Sequence, residues 1–235
     1  MRPTTSAAAA AAATLALLAS LPALAAVPDC SAGITNLGYG AGMAADITGV
    51  SGGHCTQAGD KIFGDASTSG AISGAGSINF TALLSDPSHV TIAFQGTVAD
   101  GAAGTITYSA MLDPILANGL LIHDLQKDFT LNGPAGAGAT LTGTASSSGG
   151  FGGALACTRV IGGADNCPVD VNFANLVSDI TITQHIATTA GAVVTGITDT
   201  ISQATVPEPA SLGLLGAALV AMGALYRRRR SLGAA

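Results

Sequence analysis

The segment His89-Val-Thr-Ile-Ala-Phe-Gln-Gly-Thr-Val98 places Val90, Ile92 and Phe94 at every second position. A two-residue period is typical of a β-strand that buries one face and exposes the other. The segments 77–84 and 104–112 on either side of it show the same alternation, and their apolar positions include Phe80 and Tyr108. We predict three strands in an antiparallel meander, with turns at Asp86-Pro87-Ser88 and Asp100-Gly101 and with Phe80, Phe94 and Tyr108 in the core.

Strand-like segments continue almost to the end of the central region. They cover residues 120–125, 127–131, 139–145, 154–161, 169–173, 178–186 and 192–201. About ten strands are too many for one flat sheet, whereas two sheets packed face to face would bury their apolar positions. The sequence therefore predicts an all-β fold, an antiparallel β-sandwich of jelly-roll-like type. A β-solenoid is the alternative, but it is disfavoured because no fixed repeat is present.

The segment before these strands is rich in glycine and alanine and shows little periodicity. For residues 29–59 we predict irregular loops, with one short strand near 34–37. The sequences Asn132-Gly-Pro-Ala-Gly-Ala-Gly138 and Ser146-Ser-Ser-Gly-Gly150 are predicted to be loops within a single domain. We expect this domain to extend over residues 27–202.

The N-terminal sequence is typical of an export signal. It begins Met1-Arg2, continues through alanine-rich sequence and several leucines, and reaches Ala23-Leu24-Ala25. A basic start, a short apolar stretch and a small-x-small site together indicate a secretory signal peptide. We assign it to residues 1–26, so the mature chain is predicted to start near Val27.

The C-terminal sequence has three consecutive parts. Pro207 and Pro209 favour an extended segment, and we expect an exposed tether over residues 203–209. Residues 210–226 contain no charge and are apolar all round, which predicts a transmembrane helix. The four residues Arg227, Arg228, Arg229 and Arg230 lie within a basic tail, 227–235, and should keep that end in the cytoplasm.

This C-terminal sequence resembles the PEP-CTERM sorting domain of Gram-negative bacteria, which exosortase-type membrane enzymes recognise. The resemblance covers residues 206–230 and rests on Val206, Pro207, Glu208 and Pro209, the apolar helix and the arginines. Glu208 is the only glutamate in the chain. The resemblance implies cleavage at or beside Glu208 and Pro209, passage through the inner membrane, and delivery to the cell surface or to an exopolysaccharide matrix.

The charge of the central region argues against a nucleic-acid partner. Between residues 27 and 206 the three basic residues Lys61, Lys127 and Arg159 face thirteen aspartates, a formal charge of −10. Nucleic-acid binding surfaces are instead strongly basic.

Four cysteines lie in the exported region: Cys30, Cys55, Cys157 and Cys167. An even count in an oxidising compartment predicts two disulfides. Three pairings are open, and we favour the local one, Cys30 with Cys55 and Cys157 with Cys167. The sequence contains no Cys-x-x-Cys or similarly spaced pair of metal ligands, so it predicts no metal site at these thiols.

No catalytic motif is visible, so the sequence predicts a non-enzymatic protein without a cofactor. The histidines are isolated, and His123 and Asp124 are expected on opposite faces of a strand. Two alternatives stay open: a weak carbohydrate- or calcium-dependent adhesion module, and a secreted hydrolase with an unrecognised aspartate pair. The candidate calcium ligands are Asp124 with Asp128, and Asp165 with Asp170.

Overall fold

A computed structural model describes residues 27–205 of the protein, with side chains omitted for 73–76. The predicted signal peptide, residues 1–26, lies outside the described residues. So do Val206 and everything after it, including the predicted transmembrane helix and arginine tail. Within residues 27–205, no helix is long and apolar enough to cross a membrane.

The described region consists of thirteen strands and one short 3-10 helix. In chain order they are β1 (Gly33–Asn36), β2 (Gly40–Asp46), the 3-10 helix (Ile47–Val50), β3 (His54–Ala58), β4 (Lys61–Gly70), β5 (Ile72–Leu83), β6 (Asp86–Val98), β7 (Ala103–Leu112), β8 (Leu120–Asn132), β9 (Gly138–Ser146), β10 (Gly152–Val160), β11 (Val169–Val177), β12 (Asp179–Thr188) and β13 (Val193–Thr205).

The strands form two sheets that pack face to face. The seven-stranded sheet has the order β1-β3-β4-β7-β12-β9-β10, and the six-stranded sheet has the order β11-β8-β13-β6-β5-β2. Aromatic pairs join them: the ring centroids of Phe63 and Phe80 are 4.8 Å apart, and those of Phe94 and Tyr108 are 5.2 Å apart. The predicted all-β class, the two sheets and the burial of Phe80, Phe94 and Tyr108 are confirmed.

The predicted three-stranded meander is wrong at its third strand. β5 and β6 do pair antiparallel, with Phe80 opposite Ile92, but β7 lies in the other sheet between β4 and β12. The first turn is also shifted, because β6 already begins at Asp86 and the turn comprises Leu84 and Ser85. Alternation reports which face of a strand is buried, and it does not specify which sheet the next strand joins.

The interpretation of residues 29–59 as mostly loop is also wrong. The predicted short strand is present as β1, but β2, the 3-10 helix and β3 follow it within that segment, and β4 comes directly after it. The 3-10 helix begins after Asp46, whose carboxylate accepts a hydrogen bond from the Thr48 backbone N–H at 3.2 Å. Glycine and alanine give little contrast between buried and exposed positions, so these strands produce no readable period.

The predicted tether begins too early. β13 continues to Thr205, and the side chain of Gln203 is buried. Gln203 shares the inward parity of Ile197 and Ile201, which continues the strand past residue 202. The folded domain therefore reaches to within one residue, Val206, of Pro207.

Candidate functional site

Both disulfides have the local pairing favoured from the sequence. Cys30 is bonded to Cys55 and Cys157 to Cys167, and no described cysteine is free. The first bridge fastens the residues preceding β1 to β3, and the second fastens β10 to the residues before β11. They therefore tie down opposite edge regions of the seven-stranded sheet, where backbone pairing is incomplete.

Lys61 lies at the start of β4 with its side chain fully enclosed. Its Nζ donates to Asp60 Oδ1 at 2.8 Å, to Gln203 Oε1 at 2.8 Å and to the Pro87 carbonyl oxygen at 3.2 Å. Gln203 Nε2 donates back to Asp60 Oδ2 at 2.8 Å. Since Gln203 and Pro87 belong to the six-stranded sheet, this cluster bonds the two sheets together. Burial lowers the pKa of Lys61, and the Asp60 carboxylate opposes that effect.

Lys127, on β8, is the centre of a second enclosed cluster. Its Nζ donates to Gln184 Oε1 at 2.7 Å and contacts Asp199 Oδ1, with both charged side chains fully buried. Tyr108 Oη donates to Asp199 Oδ2 at 2.6 Å, and Gln184 Nε2 donates to the same oxygen at 3.3 Å. Tyr108 and Gln184 come from the seven-stranded sheet, so this cluster also spans the core.

The surroundings of Lys127 and Tyr108 affect their titration. Burial lowers the pKa of Lys127, while the Asp199 carboxylate acts in the opposite direction. Burial and the adjacent Asp199 carboxylate raise the pKa of Tyr108 well above its usual value. The phenol is therefore a hydrogen-bond donor throughout the physiological range.

A polar groove of about 270 Å³ lies on the outer face of the six-stranded sheet. It crosses β11, β8, β13 and β6, where Asp170 lies opposite Gln126 and Asn172 lies opposite Asp124. Such amide and carboxylate groups can bind hydroxyl-rich ligands. We call this surface the outer groove; its lining residues are His89, Asp124, Gln126, Asp170, Asn172, Thr200 and Ser202.

The predicted separation of His123 and Asp124 is wrong. His123 Nδ1 lies 3.0 Å from Asp124 Oδ2, although the residues are adjacent on β8. The pairing of β8 with β11 changes register between Asn172 and Val177, opposite this position, so regular alternation does not hold there. The two side chains form an exposed pair at the edge of the outer groove.

The candidate calcium ligands do not assemble as predicted. Asp124 and Asp170 line the outer groove, whereas Asp128 and Asp165 each lie 3.0 Å from nitrogens of Arg159. Among residues 27–205, no group of three or more histidine, cysteine or acidic side chains is arranged to hold a metal ion.

Sequence reasoning did not identify the two buried lysine clusters, although a signal for one was present. Lys127 has the same strand parity as Leu125 and Phe129, and Asp199 lies between Ile197 and Ile201 with their parity. Read strictly, period two places each charged residue in the core. Charged side chains are rarely buried without a partner. A basic residue and an acidic residue that both occupy inward-facing strand positions would therefore have indicated a buried pair.

Taken together, the described domain is a disulfide-stabilised, two-sheet β protein with a polar bonding network inside its core. Residues 205–230, which begin at the last residue of β13, match the PEP-CTERM protein-sorting motif. The chain therefore carries a PEP-CTERM sorting motif, which implies an exported protein of Gram-negative bacteria that passes through the membrane and is processed by an exosortase-type enzyme. The motif residues Val206, Pro207, Glu208 and Pro209, and Arg227 to Arg230, lie outside the described residues.

Comparisons of the whole chain assign no activity. No curated protein matches it. The enzymatically active domain of tailspike protein 4 of bacteriophage CBA120 aligns at 11% identity and a TM-score of 0.26, over 57% of this chain and 18% of the tailspike chain. A family 11 carbohydrate-binding module from Clostridium thermocellum, solved with a mixed-linked tetrasaccharide, aligns at 10% identity and a TM-score of 0.23, over 62% of this chain and 88% of the module. These matches are too remote to transfer a function.

Proposed function

We propose that this chain is a non-enzymatic structural protein of the cell surface or the exopolysaccharide matrix. The observation that carries the proposal is the sorting motif, whose match begins at the last residue of a disulfide-stabilised domain. In this proposal the exosortase separates the domain from its membrane helix, and a jelly-roll-like sandwich is the delivered product.

The interior of the domain supports a mechanical role. The Lys61 and Lys127 clusters each connect the two sheets through buried hydrogen bonds, and the disulfides fasten segments next to strands. No buried side-chain nitrogen or oxygen in the described region lacks a hydrogen-bond partner. A fully bonded polar network favours one rigid arrangement of the sheets.

Fractionation of a host that contains an exosortase tests the proposal. The full-length chain should be found, shortened at its C-terminus, in the surface or matrix fraction, and matrix cohesion should fall when its gene is deleted. A matched host without the exosortase should retain the longer chain in the membrane. Recovery of the processed chain only as a freely diffusing protein, with an unchanged matrix, would refute the structural role.

A second candidate function rests on the outer groove. Its carboxylate, amide and hydroxyl groups could bind a glycan directly or through Ca²⁺, which would make the domain a weak adhesion module. Ligand bound only by the folded state raises the melting temperature, so titration with Ca²⁺ and with purified exopolysaccharide tests this function. The variant Gln126→Ala with Asp170→Ala should lose any such shift. Release of shorter sugars during the titration would instead favour the hydrolase alternative, with Asp124 and Asp170 as its carboxylates.

A further inference from the structure

Lys127 and Asp199 face each other inside the core, 72 residues apart in sequence. Both side chains have no solvent exposure, and their strands, β8 and β13, are neighbours in the six-stranded sheet. The Lys127 Nζ also lies 5.8 Å from the centroid of the Tyr108 ring. An amine and a carboxyl group are therefore held in direct contact, away from bulk water.

The two buried lysines differ in the number of hydrogen-bond acceptors around Nζ. Lys61 Nζ has three acceptors, which matches the three N–H groups of an ammonium ion. Within the described region, Lys127 Nζ has two, Gln184 Oε1 and Asp199 Oδ1, which matches the two N–H groups of a neutral amine. Burial lowers the pKa of Lys127, although the Asp199 carboxylate opposes this effect, so loss of a proton costs less here than at an exposed lysine. A neutral, desolvated lysine is a nucleophile.

The two oxygens of Asp199 also have different environments. Oδ1 contacts the amine, whereas Oδ2 accepts hydrogen bonds from Tyr108 Oη at 2.6 Å and Gln184 Nε2 at 3.3 Å. Donors aimed at one carboxyl oxygen stabilise the negative charge that develops there when a nucleophile attacks the carbon. Tyr108 and Gln184 are placed to stabilise negative charge on Oδ2 through these hydrogen bonds.

We propose that Lys127 and Asp199 are joined by an intramolecular amide bond between Nζ and Cγ. Transfer of one proton from Nζ to Oδ1 across their contact gives a neutral amine and a carboxyl group. The amine then attacks Cγ, and the developing charge resides on Oδ2. A proton then passes from the nitrogen to Oδ1, the bond between Cγ and Oδ1 breaks, and one water leaves. Both hydrogens of that water are accounted for, one from the amine and one from the carboxyl group, and no oxidant or cofactor is required.

The Lys61 cluster provides an internal comparison. Asp60 and Lys61 are adjacent in sequence, and the lysine has its full set of ammonium partners. We expect this pair to remain an ion pair. The cross-link is thus assigned to one of the two buried lysines, and it would connect β8 to the final strand β13 covalently.

Tryptic digestion of the purified full-length chain, after reduction and alkylation, tests the bond. Trypsin normally cuts after Lys61, Lys127 and Arg159, and next after Arg227 if the tail is present. An amide at Lys127 removes that cleavage site. The expected product is residues 62–159 joined to the fragment starting at Val160, lighter than the sum of the two by one water. Separate peptides 62–127 and 128–159 should be missing.

Variants assign the linkage to its two residues. Lys127→Arg and Asp199→Ala should yield only unlinked peptides, while Lys61→Arg should retain the linked product. Asp199→Asn should give a linked product of identical mass, because loss of ammonia from the new amide forms the same bond. The wild-type digest decides the question even if a variant fails to fold.

Two results would overturn the proposal. One is complete recovery of unlinked peptides 62–127 and 128–159 from the folded wild-type protein. The other is loss of water located at Asp100-Gly101, where a cyclic imide can form, with normal cleavage after Lys127.

Discussion

The hydroxyl of Tyr108 on β7 donates a 2.6 Å hydrogen bond to Asp199 Oδ2 on β13, across the interface between the two sheets. The same ring packs against Phe94, with centroids 5.2 Å apart. Tyr108 thus contributes both apolar packing and a polar contact to the core, and the two contributions can be separated by mutation.

Tyr108→Phe should destabilise the protein by about 1–3 kcal/mol, because it leaves the buried Asp199 Oδ2 with one fewer hydrogen-bond donor while the ring packing is kept. Denaturant-induced unfolding of the purified chain measures the change. Tyr39→Phe, at a partly exposed ring, is the matched control and should have a much smaller effect. Equal stabilities for the two variants would contradict this role of the Tyr108 hydroxyl.

Gln203→Ala should also destabilise the fold by about 1–3 kcal/mol, since it removes the amide that bonds both Lys61 and Asp60. The comparison variant is Gln126→Ala, whose side chain is exposed in the outer groove. Chemical denaturation should show a lower midpoint for Gln203→Ala alone. If the two midpoints agree, the final residues of β13 do not help to hold the sheets together.

Stability should fall as the pH drops below about 4, and Asp113 should account for part of the loss. Its carboxylate accepts the backbone N–H of Ile115 at 2.8 Å, which holds its pKa below the ordinary value, and Leu116 and Gln57 donate to it as well. Because the folded-state pKa is the lower one, the unfolded chain binds more protons in this range, and acid favours unfolding. Melting temperatures between pH 2 and pH 7 should decline less steeply for Asp113→Asn. Parallel curves would exclude this contribution.

Replacing either disulfide by a serine pair should destabilise the oxidised protein, and the longer loop should matter more. Sequence separations of 25 and 10 correspond in the chain-entropy model to about 3.5 kcal/mol for Cys30–Cys55 and about 2.7 kcal/mol for Cys157–Cys167. Equilibrium unfolding of the two double variants measures the order. Ellman's reagent should detect no thiol in the native wild type, and two reactive thiols would contradict the paired state.

Glu208→Ala should block processing while leaving export intact, because the substitution changes neither the apolar segment 210–226 nor the arginines after it. In a host with an exosortase, the variant should accumulate as a longer, membrane-bound chain. Deletion of residues 227–230 should instead disturb retention and orientation of the chain in the membrane. Identical size and fractionation of wild type and Glu208→Ala would show that the motif does not direct sorting here.

The strands with strong alternation were predictable because each has one fully apolar face, as at Val90, Ile92 and Phe94. β2 was missed because glycine and alanine dominate it, and the crossing of β7 to the other sheet depends on long-range packing that no local pattern encodes. The sorting motif could be recognised from contiguous residues alone. The Lys127 cluster could not, since it assembles residues from four strands, β7, β8, β12 and β13.

The position of β13 affects the order of events during synthesis and export. It is the last strand of the domain, yet it lies between β8 and β6 inside its sheet. Before β13 is synthesised, β8 and β6 have no strand between them. Lys61 then lacks its partner Gln203, and Lys127 lacks its partner Asp199. A chain interrupted before Val193 would bury two lysines without these partners and would be a ready substrate for proteases. The sorting motif begins where β13 ends, so premature products lack both the finished fold and the signal for release.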